Sequence, residues 1–570
     1  MRTVNEHDGL LHIAQSFAAE YDGLRNSRAI SWYLKVRNTL SNSPYEPLTL
    51  ESDFPHNKVW MRLKAAENPL NREFVEHRAE YQARLAKSNG SSFFASTARP
   101  RVGIITDEFM FDYYEDALDL TYLYPDTYQQ AIDKGDLDFV LYVTCWIGRY
   151  ESDKPYYGND PEGHERIARV LQHAKDAGLP VVFQSIEDPP SYHEYLDLAR
   201  MADVVFTSCE EKIPDYVRDL GHNRVFASLF GVNPLLNNPV GIGLRARLHS
   251  ACLRSTVLFA GTWYNVHQQR CKDTSTVFDA ILQAGKNLAI ADRRWPVDWG
   301  DNFPEKYWHY LMPAMGHKDL QEATKLFDFA VNMNTVKDSR TMCAMRTYEL
   351  QAAGVIGLAN DALALKTQYP ELVRITSAED AERYFDELTR PSMLEQQFAG
   401  IRRVMSHATV YQRLNAMFDQ MGFDFRFSPR RVVIIVAEDD TDAQNAARRQ
   451  SVFDIAARDA FPLSTFGIVP FGSPEIEQYD FALVLAGGDW PSTLAEDLLN
   501  AFLYTDCDYA TATDAFDSQR FEYREGPAAC AGTMFNLARV PWDSIARAYA
   551  EGGEIGQLGF LIPFFRNKHD

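Results

Sequence analysis

Residues 332–360 contain the side chains best suited to chemistry. They lie in a polar loop and in the first turn of a predicted helix, and they are Ser339, Arg340, Thr341, Arg346 and Glu349. Hydroxyls, guanidinium groups and a helix N-terminus bind phosphate oxygens, and a carboxylate accepts hydrogen bonds from a sugar diol. A nucleotide sugar presents both kinds of group. The spacing of Arg346 and Glu349 alone, however, is more typical of an exposed ion pair on a helix.

A strand, a loop and a helix are predicted to position these side chains. The apolar run 327–331 indicates a buried strand, and residues 345–352 show helical periodicity. Gly354 is expected to end the helix, and residues 355–359 to form the next parallel strand. The polar loop would then lie at the carboxyl end of a strand, where open α/β sheets bind ligands.

Four short motifs occur in this block: Asn-x-Asn-x-Val at residues 332–336, Ser-x-Thr-Met at 339–342, Arg-x-Tyr-Glu at 346–349, and the closing Gly354. Together they resemble the nucleotide-binding segment of the spore-maturation CgeB-like glycosyltransferases, a branch of the two-lobed GT-B class. The resemblance extends over nearly all of residues 101–422. It implies an enzyme that binds a nucleotide sugar between two lobes and requires no metal ion or other cofactor.

The resemblance also implies which residues bind the donor. A Gly-Thr-Trp-Tyr run follows the predicted strand 257–261, with Arg270 a few residues on, and residues 288–295 resemble the family's strand that ends in Asp-Arg. The expected catalytic residues are Arg270, Arg346 and Glu349. The expected donor-binding residues are Gly261, Thr262, Tyr264, Asp292, Arg293, Asn334, Ser339, Arg340, Thr341 and Tyr348.

Glycosyl transfer leaves negative charge on the departing diphosphate, which must be stabilised electrostatically. Four arginines are candidates for this role: Arg270, Arg293, Arg340 and Arg346. In retaining relatives the leaving phosphate itself accepts the proton of the attacking hydroxyl. Many of them carry two glutamates eight positions apart, whereas here Thr341 occupies the earlier position and Glu349 the later one. The resemblance implies retention, and the departure at Thr341 leaves inversion open.

A first lobe precedes the lobe that contains residues 332–360. Residues 101–106, 139–146, 180–185 and 204–208 read as strands separated by helical stretches, which is the alternation of a Rossmann-like lobe. The residues expected to contact the acceptor follow three of these strands, and they are Asp107, Trp146, Glu187 and Asp188. Acidic residues at such positions are about as often solvated helix caps. The family's Asn-Lys before Glu187 is replaced by Ser185-Ile186, which removes a basic residue from this loop.

The C-terminal part is a further α/β unit. Residues 479–511 resemble the centre of a GT-A glycosyltransferase domain, in which closely spaced aspartates bind a divalent metal. Only Asp489 remains where the pattern has two or three aspartates, and a single carboxylate is a poor site for Mg²⁺ or Mn²⁺. We therefore expect a degenerate domain that binds acceptor, acts as a scaffold or dimerises.

Composition excludes several classes of protein. The chain has 570 residues and a net charge of −22, which argues against general binding to nucleic acid. Seven cysteines without a C-x-x-C pair indicate neither a disulfide framework nor a zinc site. No signal peptide or membrane-spanning run is visible, so the cytoplasm is the expected location, with the inner face of the membrane as an alternative.

The predicted architecture is α/β, a GT-B fold of two Rossmann-like lobes with an additional unit at each end. Its boundaries are 1–98 for a helical accessory region, 99–245 for the acceptor-side lobe, 246–425 for the nucleotide-sugar lobe and 426–570 for the degenerate GT-A-like domain. The expected activity is hexosyl transfer from a nucleotide sugar to a cell-envelope glycan, glycolipid, teichoic-acid-like polymer or protein. The alternative is a non-catalytic scaffold of a glycan-assembly complex. A second copy of the chain is a further candidate partner.

Overall fold

The computed structural model describes residues 61, 64–94, 97–149, 161–248, 250–294, 303–369, 372–436, 464–470, 474–486 and 490–565. In the predicted helical accessory region, apolar residues at helical spacing predict helices at residues 10–21, 28–40 and 71–85. The first two lie outside the described residues. The third is observed as α1 (Pro69–Arg84), which Asn68 caps by accepting hydrogen bonds from the backbone amides of Leu70 and Asn71. Helix α1 packs on the second lobe, where Phe74 contacts Phe327.

The first lobe is built on a parallel sheet of six strands. These are β1 (Arg101–Ile105), β2 (Asp119–Tyr122), β3 (Phe139–Val143), β4 (Val181–Ser185), β5 (Val204–Thr207) and β6 (Val225–Ala227), in the order β2-β1-β3-β4-β5-β6. The helices are α2 (Glu108–Tyr114), α3 (Tyr128–Asp133), α4 (Pro161–Asp176), α5 (Leu196–Ala199) and α6 (Ile213–Leu220), with a 3₁₀ turn at Glu210–Lys212. The central strands β3, β4 and β5 are buried along their whole length, as expected for a parallel sheet covered on both faces.

The second lobe repeats this plan. Its strands are β7 (Thr256–Gly261), β8 (Asn287–Asp292), β9 (Leu311–Met312), β10 (Phe329–Asn332), β11 (Ile356–Ala359) and β12 (Val373–Arg374), parallel and in the order β12-β11-β10-β7-β8-β9. Its helices are α7 (Leu244–Arg247), α8 (Ala251–Ser255), α9 (Gln268–Gln283), α10 (His317–Thr324), α11 (Arg346–Ala352), α12 (Leu363–Gln368), α13 (Ala378–Glu387), α14 (Arg390–His407) and α15 (Val410–Met421), with a 3₁₀ helix at Glu305–Tyr310.

The strand-loop-helix unit predicted around residues 332–360 is present. Strand β10 pairs in parallel with both β7 and β11, and α11 connects β10 to β11. Gly354 adopts φ +61°, a left-handed conformation that ends the helix. A side chain at this position would also lie 2.8 Å from Ile242 Cδ1, so both conformation and packing require glycine.

The last two helices return to the first lobe. Val232 forms a parallel bridge with Thr409, and Arg413 donates a hydrogen bond from Nε to the Phe230 carbonyl over 2.8 Å. Residues of α15 share one hydrophobic core with β3 and β4. The two lobes are therefore joined by packing as well as by the chain between them.

A third unit follows, built on a mixed sheet. Its strands are β13 (Arg430–Val436), β14 (Ser464–Pro470), β15 (Phe481–Leu485), β16 (Tyr509–Asp514), β17 (Tyr523–Glu525), β18 (Ala528–Ala529), β19 (Thr533–Asn536), β20 (Glu554–Ile555) and β21 (Leu558–Phe564). Seven of them form the sheet β14-β13-β15-β19-β16-β21-β17, in which β19 runs antiparallel to both neighbours, while β18 and β20 pair separately. The helices are α16 (Leu494–Ala501) and α17 (Trp542–Ala550), with a 3₁₀ helix at Pro474–Gln478.

The third unit packs firmly on the lobes. Arg402 of α14 forms two hydrogen bonds with the Asp497 carboxylate, at 2.6 and 2.7 Å. Arg430 also hydrogen-bonds the Phe93 carbonyl. The apolar spacing of this unit also predicts a helix at residues 441–461. This segment and Asp489 lie outside the described residues, and the likeness of the unit to a GT-A domain stays a prediction.

Two parallel Rossmann-like sheets thus stand side by side, and the expected GT-B architecture of the central chain is confirmed. The proposed domain limits at residues 98, 245 and 425 stay predictions. Among the described helices, none has both the length and the apolar character needed to cross a bilayer.

Candidate active site

The carboxyl ends of the two parallel sheets carry most of the residues predicted to bind ligands. In the second lobe, Gly261 ends β7, and Arg346 begins α11 in the connection that leaves β10. In the first lobe, Asp107 follows β1 and Glu187 follows β4. Because α2 of the first lobe meets α10 of the second, these edges face each other across a cleft.

Three arginines of the second lobe form a cationic cluster in this cleft. Arg270 and Arg346 are half-buried, and Arg293 is exposed. Burial lowers the pKa of Arg346, the Glu349 carboxylate opposes that change, and the charges of Arg293 and Arg270 lower the pKa further. Among the described residues, no carboxylate lies within ion-pair distance of the three guanidinium groups, and Arg346 and Glu349 do not form the exposed pair that their spacing suggested. The cluster is therefore a concentration of positive charge that Glu349, near Arg346, and Asp107 of the first lobe, near Arg293, oppose only from beyond ion-pair distance.

Arg270 is fixed by the loop that follows β7. Its Nη1 donates a hydrogen bond to the Thr262 carbonyl over 3.0 Å, and its guanidinium group lies 5.7 Å from the centre of the Tyr264 ring. Thr262 is itself buried, and its hydroxyl has no hydrogen-bond partner within the described part of the chain. A Cβ atom at Gly261 would lie 2.8 Å from the tip of the Phe259 ring, so a larger residue at the end of β7 would displace that ring.

Glu349 is held rigidly in the second lobe. Its side chain is only 6% exposed, and Oε1 accepts a 3.0 Å hydrogen bond from Gln321 Nε2. His317 Nε2 lies 3.9 Å from the same oxygen, while His317 Nδ1 lies 3.6 Å from Asp112 Oδ2 of the first lobe. Burial lowers the pKa of His317, but the two carboxylates outweigh this effect and raise the pKa to about 9. His317 therefore carries a positive charge at neutral pH.

The loop predicted to bind phosphate is occupied by side chains of the first lobe. Ser339 Oγ donates to Glu211 Oε2 over 2.6 Å, and the Arg340 amide donates to Glu211 Oε1 over 2.9 Å. Arg340 Nε lies 2.5 Å from Glu210 Oε1. Thr341 Oγ1 accepts from the Glu210 amide and donates to the Ser208 carbonyl, each over 2.9 Å. These residues join the two lobes.

Three other predicted donor-binding residues are buried and have internal partners. The backbone amide of Asn334 donates a hydrogen bond to Asn360 Oδ1, and Asn334 Oδ1 accepts one from the backbone amide of Ala344, each over 2.8 Å. These two bonds shape the loop between β10 and α11. Tyr348 is fully buried, and its hydroxyl donates a hydrogen bond to Gln368 Oε1. Asp292 accepts a 3.1 Å hydrogen bond from the Arg294 amide, and burial raises its pKa.

On the acceptor side, Asp107, Trp146 and Glu187 come together. Burial raises the pKa of Glu187 to about 7, a hydrogen bond from Trp146 opposes the rise, and the negative charge of Asp107 adds to it. Burial also raises the pKa of Asp107, against the charges of His317 and Arg293 in the second lobe. Trp146 is 44% exposed. The cluster thus combines an open aromatic face with carboxyl groups that titrate at raised pH.

Asp188 differs from this group. It is fully buried, and its carboxylate accepts hydrogen bonds from Thr207 Oγ1 at 2.6 Å and from the Tyr216 hydroxyl at 3.4 Å. Its side chain therefore supports the loop after β4 from inside the lobe and has no surface exposed to the cleft.

Sequence reasoning missed several cleft residues, namely Asp112, Glu211, His317 and Gln321. Each is a common polar residue with no motif around it, and its partner lies far away in the chain. Among the described residues, no three His, Cys, Asp or Glu side chains are grouped to hold a metal ion.

Comparison with protein-family models gives no match, and comparison with curated proteins gives none either. Among solved structures, sucrose-phosphate synthase from Thermosynechococcus elongatus is 13% identical with a TM-score of 0.36, covering 52% of this chain and 77% of its own. HepE from Anabaena, solved in complex with UDP and glucose, is 10% identical with a TM-score of 0.39, covering 57% and 100%. A trehalose-6-phosphate synthase is 9% identical with a TM-score of 0.33, covering 55% and 83%. The architecture described above rests on the strand order and strand directions of this chain and not on these structures.

Proposed function

We propose that this protein is a glycosyltransferase that binds a nucleotide sugar in the cleft between its two Rossmann-like lobes. The observation that carries the proposal is the cluster of Arg270, Arg293 and Arg346, whose charges act on one another and which form no ion pair with a carboxylate among the described residues. Collecting like charges in a half-buried cleft is unfavourable unless an anion binds there. A diphosphate, with its two adjacent anionic groups, matches such a cluster.

Catalysis in this proposal is electrostatic. As the bond between the anomeric carbon and the diphosphate breaks, charge accumulates on the leaving oxygen, and fixed guanidinium groups stabilise it without reorganising. Arg270 is already held by the Thr262 carbonyl. The proposed chemistry therefore requires no metal ion. Glu349, oriented by Gln321, is assigned to the hydroxyls of the ribose or of the donor sugar.

The acceptor is assigned to the first lobe. The exposed face of Trp146 is suited to stacking on a sugar ring, and the Asp107 and Glu187 carboxyls are suited to hydroxyl groups. We propose a cell-envelope glycan, glycolipid, teichoic-acid-like polymer or protein-linked sugar as the acceptor, with transfer of a hexose. In a retaining reaction the leaving phosphate takes the proton of the acceptor hydroxyl. In an inverting one, Glu187, with its pKa of about 7, would take it. The anomeric configuration of the product distinguishes these routes.

One observation favours a second candidate, a non-catalytic scaffold. The Ser339 to Thr341 loop is engaged by Glu210 and Glu211, so part of the expected phosphate site serves to join the lobes. A scaffold would keep this contact and bind no nucleotide.

Thermal unfolding in the presence of UDP-, GDP-, dTDP- and CDP-sugars tests the proposal. A ligand at a hundredfold excess over its Kd stabilises the native state by about 2.7 kcal/mol. We expect one nucleotide series to stabilise the wild-type protein and Arg346→Gln to abolish the shift. Arg72→Gln, at an exposed position on α1, is the matched control and should keep it. If no nucleotide stabilises the wild type, the scaffold is the better description.

A further inference from the structure

A buried chain of charged groups crosses from the first lobe to the second. It consists of Asp112 on α2, His317 at the start of α10 and Glu349 on α11. His317 faces Asp112 Oδ2 at 3.6 Å through Nδ1 and Glu349 Oε1 at 3.9 Å through Nε2. The side chains of Asp112 and Glu349 are 3% and 6% exposed. Of the three side chains, the imidazole of His317 is therefore the one that faces a carboxylate of each lobe.

The first-lobe end of this chain is incompletely bonded. Both oxygens of Asp112 and the Nδ1 atom of His317 are buried without a hydrogen bond among the described residues. Lys318 Nζ approaches Asp112 Oδ1 only to 3.6 Å. A buried carboxylate without hydrogen bonds is costly, and an approach of a few tenths of an ångström would form them. The pair therefore favours a closer position of α2 against α10.

At the second-lobe end, one oxygen of Glu349 has a hydrogen-bond donor on the same helix as His317. Gln321 lies one turn after His317 on α10, and its Nε2 donates to Glu349 Oε1 over 3.0 Å. The same nitrogen lies 3.2 Å from His317 Nε2, and because both nitrogens carry protons when the imidazole is charged, this approach is a packing contact and not a hydrogen bond. Helix α10 thus presents two side chains to one carboxylate oxygen. The other side of the imidazole is covered by Phe109 of the first lobe, with ring centres 4.9 Å apart.

We propose that His317 is a positioning residue that orients the Glu349 carboxylate for the nucleotide sugar and, by bridging to Asp112, links occupancy of the donor site to closure of the two lobes. The inference rests on the proposed function of Glu349 and assigns to that site a link with the acceptor lobe. The imidazolium does not contact the donor. It acts through the carboxylate that does.

Several charges determine the titration of His317. Asp112 and Glu349 favour the imidazolium, and Asp107 at the start of α2 lies within electrostatic reach. Lys318 next to it is exposed and pairs with Asp112, while the positive charge of Arg346 acts on Glu349. With its pKa raised to about 9, His317 is charged at neutral pH and loses its proton only in alkaline solution. Orientation of Glu349 by the imidazolium should be lost over the same interval.

Titration calorimetry with UDP, and with GDP, dTDP and CDP if UDP does not bind, tests this inference between pH 7 and 10. We expect the wild-type affinity to fall as the pH rises through 9. His317→Gln keeps a hydrogen-bonding side chain without the charge, and it should bind about tenfold more weakly at pH 7 with an affinity that no longer changes toward pH 10. His309→Gln changes a half-exposed histidine of the same lobe and should behave as wild type. Asp112→Asn leaves Glu349 untouched and should reproduce part of the loss.

The outcomes separate two failures. A wild-type protein that binds none of the nucleotides would overturn the proposed function and this inference with it. Wild-type binding with an unchanged affinity and pH profile in His317→Gln would overturn the inference alone. Weaker binding in His317→Gln that keeps the wild-type pH profile would also overturn it, because the loss would then come from packing and not from the imidazolium. Thermal unfolding of each variant without nucleotide establishes that it is folded.

Discussion

Ser339 of the second lobe donates a 2.6 Å hydrogen bond to the Glu211 carboxylate of the first lobe. The same carboxylate accepts a hydrogen bond from the backbone amide of Arg340. Burial raises the pKa of Glu211, but the two hydrogen bonds outweigh burial, so the pKa is lowered. A loop of hydroxyl, guanidinium and amide donors thus binds an anion supplied by the chain itself. The lobes are therefore connected at two places along the cleft, here and at the His317 bridge.

Replacing Glu211 by Ala should loosen the first of these connections. The Ser339 hydroxyl and the Arg340 amide would lose their acceptor, so we expect faster hydrogen exchange at residues 340–342 and a loss of unfolding free energy of about 1 kcal/mol, since the carboxylate is partly exposed. Hydrogen exchange measured by mass spectrometry checks the first effect, and urea unfolding checks the second. Glu551→Ala, at an exposed helix end, is the control. Unchanged exchange in this loop would show that Glu211 does not hold it.

The local part of this architecture could be predicted from the sequence. Strand β10, helix α11, its stop at Gly354 and strand β11 all follow from periodicity and from one glycine, because each depends on neighbouring residues. The edge of each sheet at which the predicted site residues lie follows from the parallel order of the strands. These features are encoded over short stretches of chain, and they were found within about two residues of the predicted limits.

Contacts across the cleft could not be predicted in this way. Ser339 and Glu211 meet because the two lobes dock, and no short pattern in the sequence reports which loop faces which. Asp188 shows the converse case, since a polar residue after a strand is expected at a ligand edge, yet its carboxylate turns inward to Thr207. Whether a side chain at a strand end faces the cleft or the core depends on the tertiary backbone path. The sequence therefore indicated which residues lie at the carboxyl ends of the strands but not which of their side chains face the cleft.

The charge of His317 should make stability depend on pH in the alkaline range. Its pKa is about 9 in the folded protein, against an ordinary value of 6.5. A raised folded-state pKa gives a stabilisation that is complete below pH 6.5 and is lost as the pH rises through 9. The contribution of His317 to the unfolding free energy, measured by urea unfolding as the difference between wild type and His317→Gln, should therefore fall between these limits by on the order of 2 kcal/mol. Taking the difference cancels the titration of other groups, such as Glu187 and Lys325, whose pKa values are both about 7. An identical pH dependence in wild type and variant would contradict the assignment.

Gly354 offers a test of the element that carries Arg346 and Glu349. Gly354→Ala would force an alanine into the left-handed backbone conformation at φ +61° and would put its methyl group 2.8 Å from Ile242 Cδ1. The conformation alone costs about 1 kcal/mol, and the close contact adds about 1 to 3 kcal/mol. Gly285 has a similar φ of +72° with nothing near its Cβ position, so Gly285→Ala measures the conformational cost by itself. Equal losses of unfolding free energy in the two variants would mean that the contact with Ile242 relaxes without cost.

The three arginines should act on one anion and should therefore be coupled. Arg270→Gln and Arg293→Gln are each expected to weaken nucleoside diphosphate binding by about tenfold, because each removes a charged hydrogen-bond donor to phosphate. Both variants should have little effect on binding of the free nucleoside, because the nucleoside lacks the diphosphate. In the double variant the two losses should not add, because both groups act on the same phosphates through a shared field. Calorimetry with diphosphate, monophosphate and nucleoside measures all three quantities. Equal losses for the nucleoside and the diphosphate would place these arginines against the base or ribose and would require a different phosphate site.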